Sequence, residues 1–245
     1  MKLTKKKLLV AFESLIALIL LGSALYLSDG YSADREAITA FQTDQTVTKQ
    51  VLSDKTIAYV PENAEHAVIF YPGGKVDYSA YEPLMWSLSE HQIATFIVKM
   101  PFNLAVLNTN AANGIQEKYP DIQHWYMSGH SLGGTIAASY LSQHVDDYDG
   151  LILLASYAID DLSQTNLKVL SITGSEDCVL NMEKAQENTI NLPESFNEVV
   201  LEGGNHAQFG MYGPQSGDGQ ATITPDEQIE LTVELILNHI KTDTN

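Results

Sequence analysis

The sequence predicts an α/β fold with a mostly parallel sheet covered by helices on both faces. Two patterns carry this. Short continuous apolar runs, bounded by Gly, Pro, Asn or Asp, alternate with segments of helical period from about residue 58 to residue 239. The runs are apolar without alternation, which is the pattern of strands buried on both sides. A third observation points to chemistry: Gly129-His130-Ser131-Leu132-Gly133 stands between the strand-like run His124–Ser128 and the small, apolar, helix-period run Gly134–Leu141.

The 245 residues are most simply one large domain after a short N-terminal segment. The formal net charge is −18, unevenly spread. Residues 1–30 hold Lys2, Lys5, Lys6 and Lys7 against Glu13 and Asp29, which leaves nine basic and 29 acidic groups, net −20, for residues 31–245. Such a surface repels nucleic acid, so no nucleic-acid partner is expected. The single cysteine, Cys178, excludes an internal disulfide and reads as a bystander thiol.

Lys5-Lys6-Lys7 precedes Leu8–Leu27, twenty residues whose one charge is Glu13. As a helix this run spans roughly 30 Å, the thickness of a bilayer's hydrocarbon. The expectation is a single transmembrane helix, with the lysines in the cytoplasm and residues 31–245 outside the cell membrane. An uncleaved anchor is favoured over a cleaved signal peptide, because the run is long and no small-x-small pair closes it.

Strands are expected around 51–60, at 67–71, 93–98, 124–128, 150–155, 167–173 and 198–201, with helices at 81–91, 104–119, 134–141 and 225–239. About a dozen residues separate the strands at 150–155 and 167–173, which leaves no room for an inserted lid.

A serine between a strand and a helix, flanked two residues either side by glycine, reads as a nucleophile elbow. Its hydroxyl projects from the sheet edge, and both glycine positions lie where neighbouring backbone leaves no space. The backbone N–H of Leu132 faces the place where an oxyanion forms. The strand at 67–71 ends in Pro72-Gly73-Gly74-Lys75, a turn placed to offer a second donor from Gly74 or Lys75. By itself that stretch is only a strand-to-helix turn; beside the elbow it gains a role.

Functional groups in a doubly wound sheet gather at the carboxyl ends of strands. The strand at 167–173 leads into Gly174-Ser175-Glu176-Asp177, and that at 198–201 into Glu202-Gly203-Gly204-Asn205-His206. The order Ser131, Asp177, His206 suits a nucleophile, an acid that orients, and a general base. Glu176 and Asp160 are rival acids. His130 holds the elbow's variable position, where it packs or lines the pocket. No H-E-x-x-H, Cys/His cluster, G-x-G-x-x-G or P-loop is present, so neither metal nor cofactor is expected.

Tyr71-Pro72-Gly73-Gly74, Gly129–Gly134, Gly174–Asp177 and Gly203–Gly210 together resemble the α/β-hydrolase superfamily, in particular its small lidless branch similar to dienelactone hydrolases and related bacterial esterases. The resemblance runs from about Ala58 to His239. It implies a lidless α/β-hydrolase fold and cofactor-free hydrolysis of a small-molecule or cell-envelope acyl ester, before an amide or lactone, through an acyl-enzyme. Serine stands where dienelactone hydrolases carry cysteine. Two alternatives remain: a hydrolase fold kept as a binding domain, and acyl transfer to a cell-envelope acceptor. The loop 203–219 contains Gln215 and Asp218, to which the sequence assigns no role, and oligomeric state is equally unmarked.

Overall fold

A computed structural model describes residues 12–18, Gly22, 30–41 and 47–241. The chain divides into two units, Met1–Gly30 and Tyr31–Asn245. In the first, residues 12–18 are helical, and seven residues rise only about 10 Å. The rest of the apolar run 8–27, apart from Gly22, lies outside the described residues. The expected transmembrane helix is therefore corrected: among the described residues no helix is long and apolar enough to cross a membrane. The membrane attachment expected from it is left without support.

The second unit is built on an eight-stranded sheet. In chain order its elements are α1 (Arg35–Phe41), β1 (Lys49–Val51), β2 (Ile57–Tyr59), β3 (His66–Tyr71), α2 (Glu82–Glu90), β4 (Ile93–Ile97), β5 (His124–His130), α3 (Leu132–Leu141), β6 (Gly150–Leu154), β7 (Lys168–Gly174), α4 (Met182–Glu187), β8 (Asn197–Leu201) and α5 (Pro225–Lys241). The spatial order is β1-β2-β4-β3-β5-β6-β7-β8. Strands β3 to β8 pair in parallel with one another, while β1 pairs with β2, and β2 with β4, antiparallel at one edge. The α/β class and the mostly parallel sheet expected from the apolar runs are thus observed.

Period-two alternation divides each central strand between two cores. Val68 and Phe70 of β3, Tyr126 of β5, Ile152 and Leu154 of β6, and Leu170 and Ile172 of β7 face one side, where Leu84 and Leu88 of α2 and Ile229, Val233 and Ile236 of α5 cover them. Ala67, Ile69, Met127, Leu151, Leu153 and Val169 face the other, under Ala137, Ala138 and Leu141 of α3. Each large aliphatic side chain so buried contributes about 1.5–3 kcal/mol before entropy is counted.

One expected helix is absent. Residues 104–119 form no α-helix; the segment is made of short 3-10 turns at Ala105–Leu107 and Gln116–Lys118. Asn108, Asn110 and Asn113 compete for backbone hydrogen bonds and favour turns, and Gly114 sits at φ +78. The strands expected around 51–60 are present as the hairpin β1–β2, turned through Lys55 at φ 69 and closed by Asp54 Oδ1, which accepts the Thr56 N–H at 2.9 Å. Between β6 and β7 the chain carries neither helix nor strand, so no lid domain is inserted there.

One of the closest backbone approaches in the fold is between α3 and the end of β3. A Cβ at Gly133 would lie 2.2 Å from the Tyr71 carbonyl oxygen and 2.3 Å from that of Pro72. Gly133→Ala is expected to destabilise the domain by at least about 2–3 kcal/mol, read as a lower midpoint in urea unfolding; an unchanged midpoint would show that the two segments do not meet this closely.

Candidate active site

The loops that leave β3, β5, β7 and β8 converge at one end of the sheet. Ser131 leads from β5 into α3 with φ 52 and ψ −126, a conformation that side-chain-bearing residues seldom adopt. Several bonds hold it there. Its N–H donates to Leu154 O at 2.9 Å, and its carbonyl accepts from the Ser156 hydroxyl at 2.7 Å and from Gly134 N–H at 3.0 Å. Gly129 completes the turn, since a Cβ there would be 2.6 Å from Gly133 C and Gly134 N. Ser131 itself is half-buried.

The turn after β3 lies directly against the start of α3. A Cβ at Gly74 would meet Leu132 Cδ2 at 3.0 Å. The Lys75 N–H donates to Asn103 O at 2.8 Å, so Lys75 drops out of the expected donor pair. Neither Gly74 N–H nor Leu132 N–H finds an acceptor among the described residues. Both amides lie beside the contact between the β3 turn and α3, and that of Leu132 stands at a helix N-terminus.

Asp177 and His206 are brought into contact, with His206 Nδ1 and Asp177 Oδ2 2.9 Å apart and both side chains fully buried. The other oxygen, Asp177 Oδ1, accepts from Val179 N–H and Leu180 N–H, each at 2.8 Å. Burial pushes the Asp177 carboxyl up, but the bond to His206, its charge and the two amides outweigh this and hold it below its ordinary value. A carboxylate at Oδ2 requires the proton on His206 Nδ1, which leaves Nε2 as the basic nitrogen. His206 Nε2 is buried and has no hydrogen-bond partner. The rival acids are engaged elsewhere: Asp160 accepts from the Ser139 hydroxyl, and Glu176 from that of Ser175 at 3.2 Å.

His130 is buried and packs its ring on that of His206, with centroids 4.5 Å apart. Its Nδ1 lies 2.8 Å from the hydroxyl of Tyr81, which also accepts the Gly73 N–H at 3.1 Å. Where His130 carries its proton on Nε2, the Tyr81 hydroxyl donates to His130 Nδ1 while accepting from Gly73. Burial, then the charge of His206, hold the His130 imidazole well below its usual range and keep it neutral. One hydroxyl thus ties the β3 turn to the elbow, and the elbow to His206. Tyr81 carries no sequence signal for this; it sits in a 3-10 turn before α2 and looks like core.

Asp218, to which the sequence assigned no role, accepts backbone N–H groups from both the Asp177 and the His206 loops. Gln215 accepts from the Tyr212 hydroxyl at 3.1 Å. A cavity of about 550 Å³ opens behind the histidine loop, walled by Asp34, Asn205, Ala207, Met211, Gln215 and Asp218. Neither Ser131 nor His206 lines it, so it is separate from the converging groups. Cys178 is exposed and unpaired, and among the described residues no cluster of metal-ligating side chains occurs.

A strained serine between strand and helix, two unbonded amides nearby and a buried His–Asp pair at later strand ends fit an α/β protein of the hydrolase type. The sequence profile of the alpha/beta hydrolase family matches residues 67–230. The chain belongs to that family. Solved structures show the same fold at low identity. Dienelactone hydrolase from Anabaena variabilis is 15% identical with a TM-score of 0.60, covering 79% of this chain and 99% of that one. Carboxylesterase CesB from Bacillus subtilis is 10% identical with a TM-score of 0.60, covering 84% and 95%. Est1E from Butyrivibrio proteoclasticus is 16% identical with a TM-score of 0.56, covering 79% and 98%. No curated protein sequence matches the chain.

The depressed Asp177 carboxyl links the site to stability. Its stabilising contribution is complete above the ordinary carboxylate value of 3.8 and is lost as pH falls through the lower value of the folded state. In urea unfolding from pH about 5 down to about 2.5, Asp177→Asn is expected to lose less stability than the parent protein. Parallel losses would show that Asp177 is not held as a buried carboxylate.

Proposed function

We propose that this protein is a serine hydrolase that cleaves a small carboxylic ester through an acyl-enzyme. The observation that carries the reading is the buried His206 Nε2, unpartnered, on an imidazole oriented by Asp177 and packed against the residue preceding Ser131.

In the first half-reaction, the Ser131 hydroxyl proton passes to His206 Nε2 as Oγ forms a bond to the ester carbonyl carbon. The carbonyl oxygen takes up negative charge against the Gly74 and Leu132 N–H groups. Asp177 stabilises the imidazolium that results. Collapse of the tetrahedral adduct breaks the bond to the alcohol oxygen, which leaves with the proton from Nε2. Water then gives a proton to Nε2 and attacks the acyl carbon, and the reverse transfer frees Ser131 and a carboxylic acid. An oxyanion donor of this kind is worth about a hundredfold or more in rate.

An ester is favoured over an amide because its carbonyl is more readily attacked and an alcohol is the better leaving group. CesB bears the name carboxylesterase, which is in keeping with this choice.

The test is labelling of the full chain with a fluorophosphonate, beside Ser131→Ala and His206→Ala. Labelling of the parent is expected, with complete loss in the first variant and a fall of at least about a thousandfold in the second. A folded parent that does not label, or a Ser131→Ala variant that still does, would remove the reading.

A further inference from the structure

We infer that Asp218 is the positioning residue of this site, a carboxylate that fixes the acid loop and the histidine loop relative to one another. The inference rests on the proposed Ser131–His206–Asp177 reading for its kinetic consequence. Its geometry stands separately.

Asp218 Oδ2 accepts the Ala207 N–H at 2.8 Å. Asp218 Oδ1 accepts from His206 N–H at 3.3 Å, Cys178 N–H at 3.3 Å and its neighbour Gly219 N–H at 2.9 Å. Cys178 follows Asp177 directly, and His206 and Ala207 follow β8. One side chain therefore gathers backbone donors from beside both members of the His–Asp pair. An ionised carboxylate suits four donors, since its two oxygens offer about four acceptor sites.

The segment that carries Asp218 is wedged between the same loops. A Cβ at Gly219 would lie 2.0 Å from the Glu176 carbonyl oxygen, and the Gly219 carbonyl accepts from Asn205 Nδ2 at 2.9 Å. Residues 218–219 thus touch the acid loop on one side and the histidine loop on the other. Other bonds across this boundary are present, notably Glu176 N–H to Gly204 O at 2.8 Å, but Asp218 is the side chain from outside the His–Asp pair that takes the backbone N–H of His206. The long excursion from Gly210 to Thr224 acquires a purpose: it returns a carboxylate to the back of the catalytic pair. Asp218 also lines the cavity behind the histidine loop, so a small anion reaches its place from solvent when the side chain is removed.

The test compares the parent with Asp218→Ala and Asp218→Asn. Turnover of p-nitrophenyl acetate is measured per fluorophosphonate-titrated site, and proton NMR observes the low-field signal of the proton between His206 Nδ1 and Asp177 Oδ2. In Asp218→Ala the rate per site is expected to fall by about ten- to a hundredfold, with KM nearly unchanged and the low-field signal lost to exchange. Formate is expected to restore part of both. Asp218→Asn keeps one acceptor oxygen and decides the matter if the alanine variant fails to fold: a rate lowered per site and a weakened signal support the inference. A folded variant that keeps the low-field signal and a rate within about twofold of the parent overturns it. The signal is read without substrate, so it judges Asp218 even where the parent neither labels nor turns over, an outcome that would count against the proposed reaction instead.

Discussion

The serine half of the site depends on the contact between Gly133 and the carbonyls of Tyr71 and Pro72. That approach fixes the start of α3 against the end of β3, and no side chain fits between them. Ser131 is left to join β5 to α3 in a left-handed conformation whose cost is of order 1–3 kcal/mol. Burial of β5 and α3 in the two cores offsets it many times over. The same contact sets Gly74 against Leu132, so the serine and the two free amides are consequences of one packing constraint and not separate inventions.

The histidine half of the site is assembled differently, by buried polar bonds. The side chain of Gln228 on α5 spans residue 205, accepting its N–H at 2.9 Å and donating to its carbonyl at 2.8 Å. Asp177 orients the His206 ring from one side and His130 supports it from another. Inside a low-dielectric core such groups are costly unless satisfied, and here nearly all are. The buried atoms here without a partner include His206 Nε2, His130 Nε2 and Gln208 Oε1, and of these His206 Nε2 is the one on a ring oriented by a carboxylate, as the proposed general base requires. The two halves meet through the Tyr81 hydroxyl, which bridges Gly73 and His130.

The parallel sheet was legible because strands buried on both faces must be apolar throughout, as 67–71 and 150–154 are. The elbow was legible because close backbone contact demands glycine at 129 and 133, and glycine is visible in sequence. Asp177 and His206 announced themselves by standing just past strand ends. The transmembrane reading rested on length and apolar content alone, and residues 104–119 on apolar spacing that the asparagines override. Tyr81 and Asp218 were illegible for another reason. Their roles arise from backbone atoms of segments remote in sequence, and nothing in a buried tyrosine or a loop aspartate says which amides will face it. Choosing between Gly74 and Lys75 likewise required the Asn103 carbonyl, supplied by a segment whose own structure the sequence obscured.

The central claim is that this packing makes Ser131 a nucleophile that carries the acyl group. The most direct measurement is acid quenching of the full chain during turnover of p-nitrophenyl acetate, followed by peptide mass mapping. An acetyl group on Ser131, absent when His206 is replaced by alanine, is the result the account predicts. Turnover with the acetyl group on another residue such as Cys178, or with none on the protein, would contradict it.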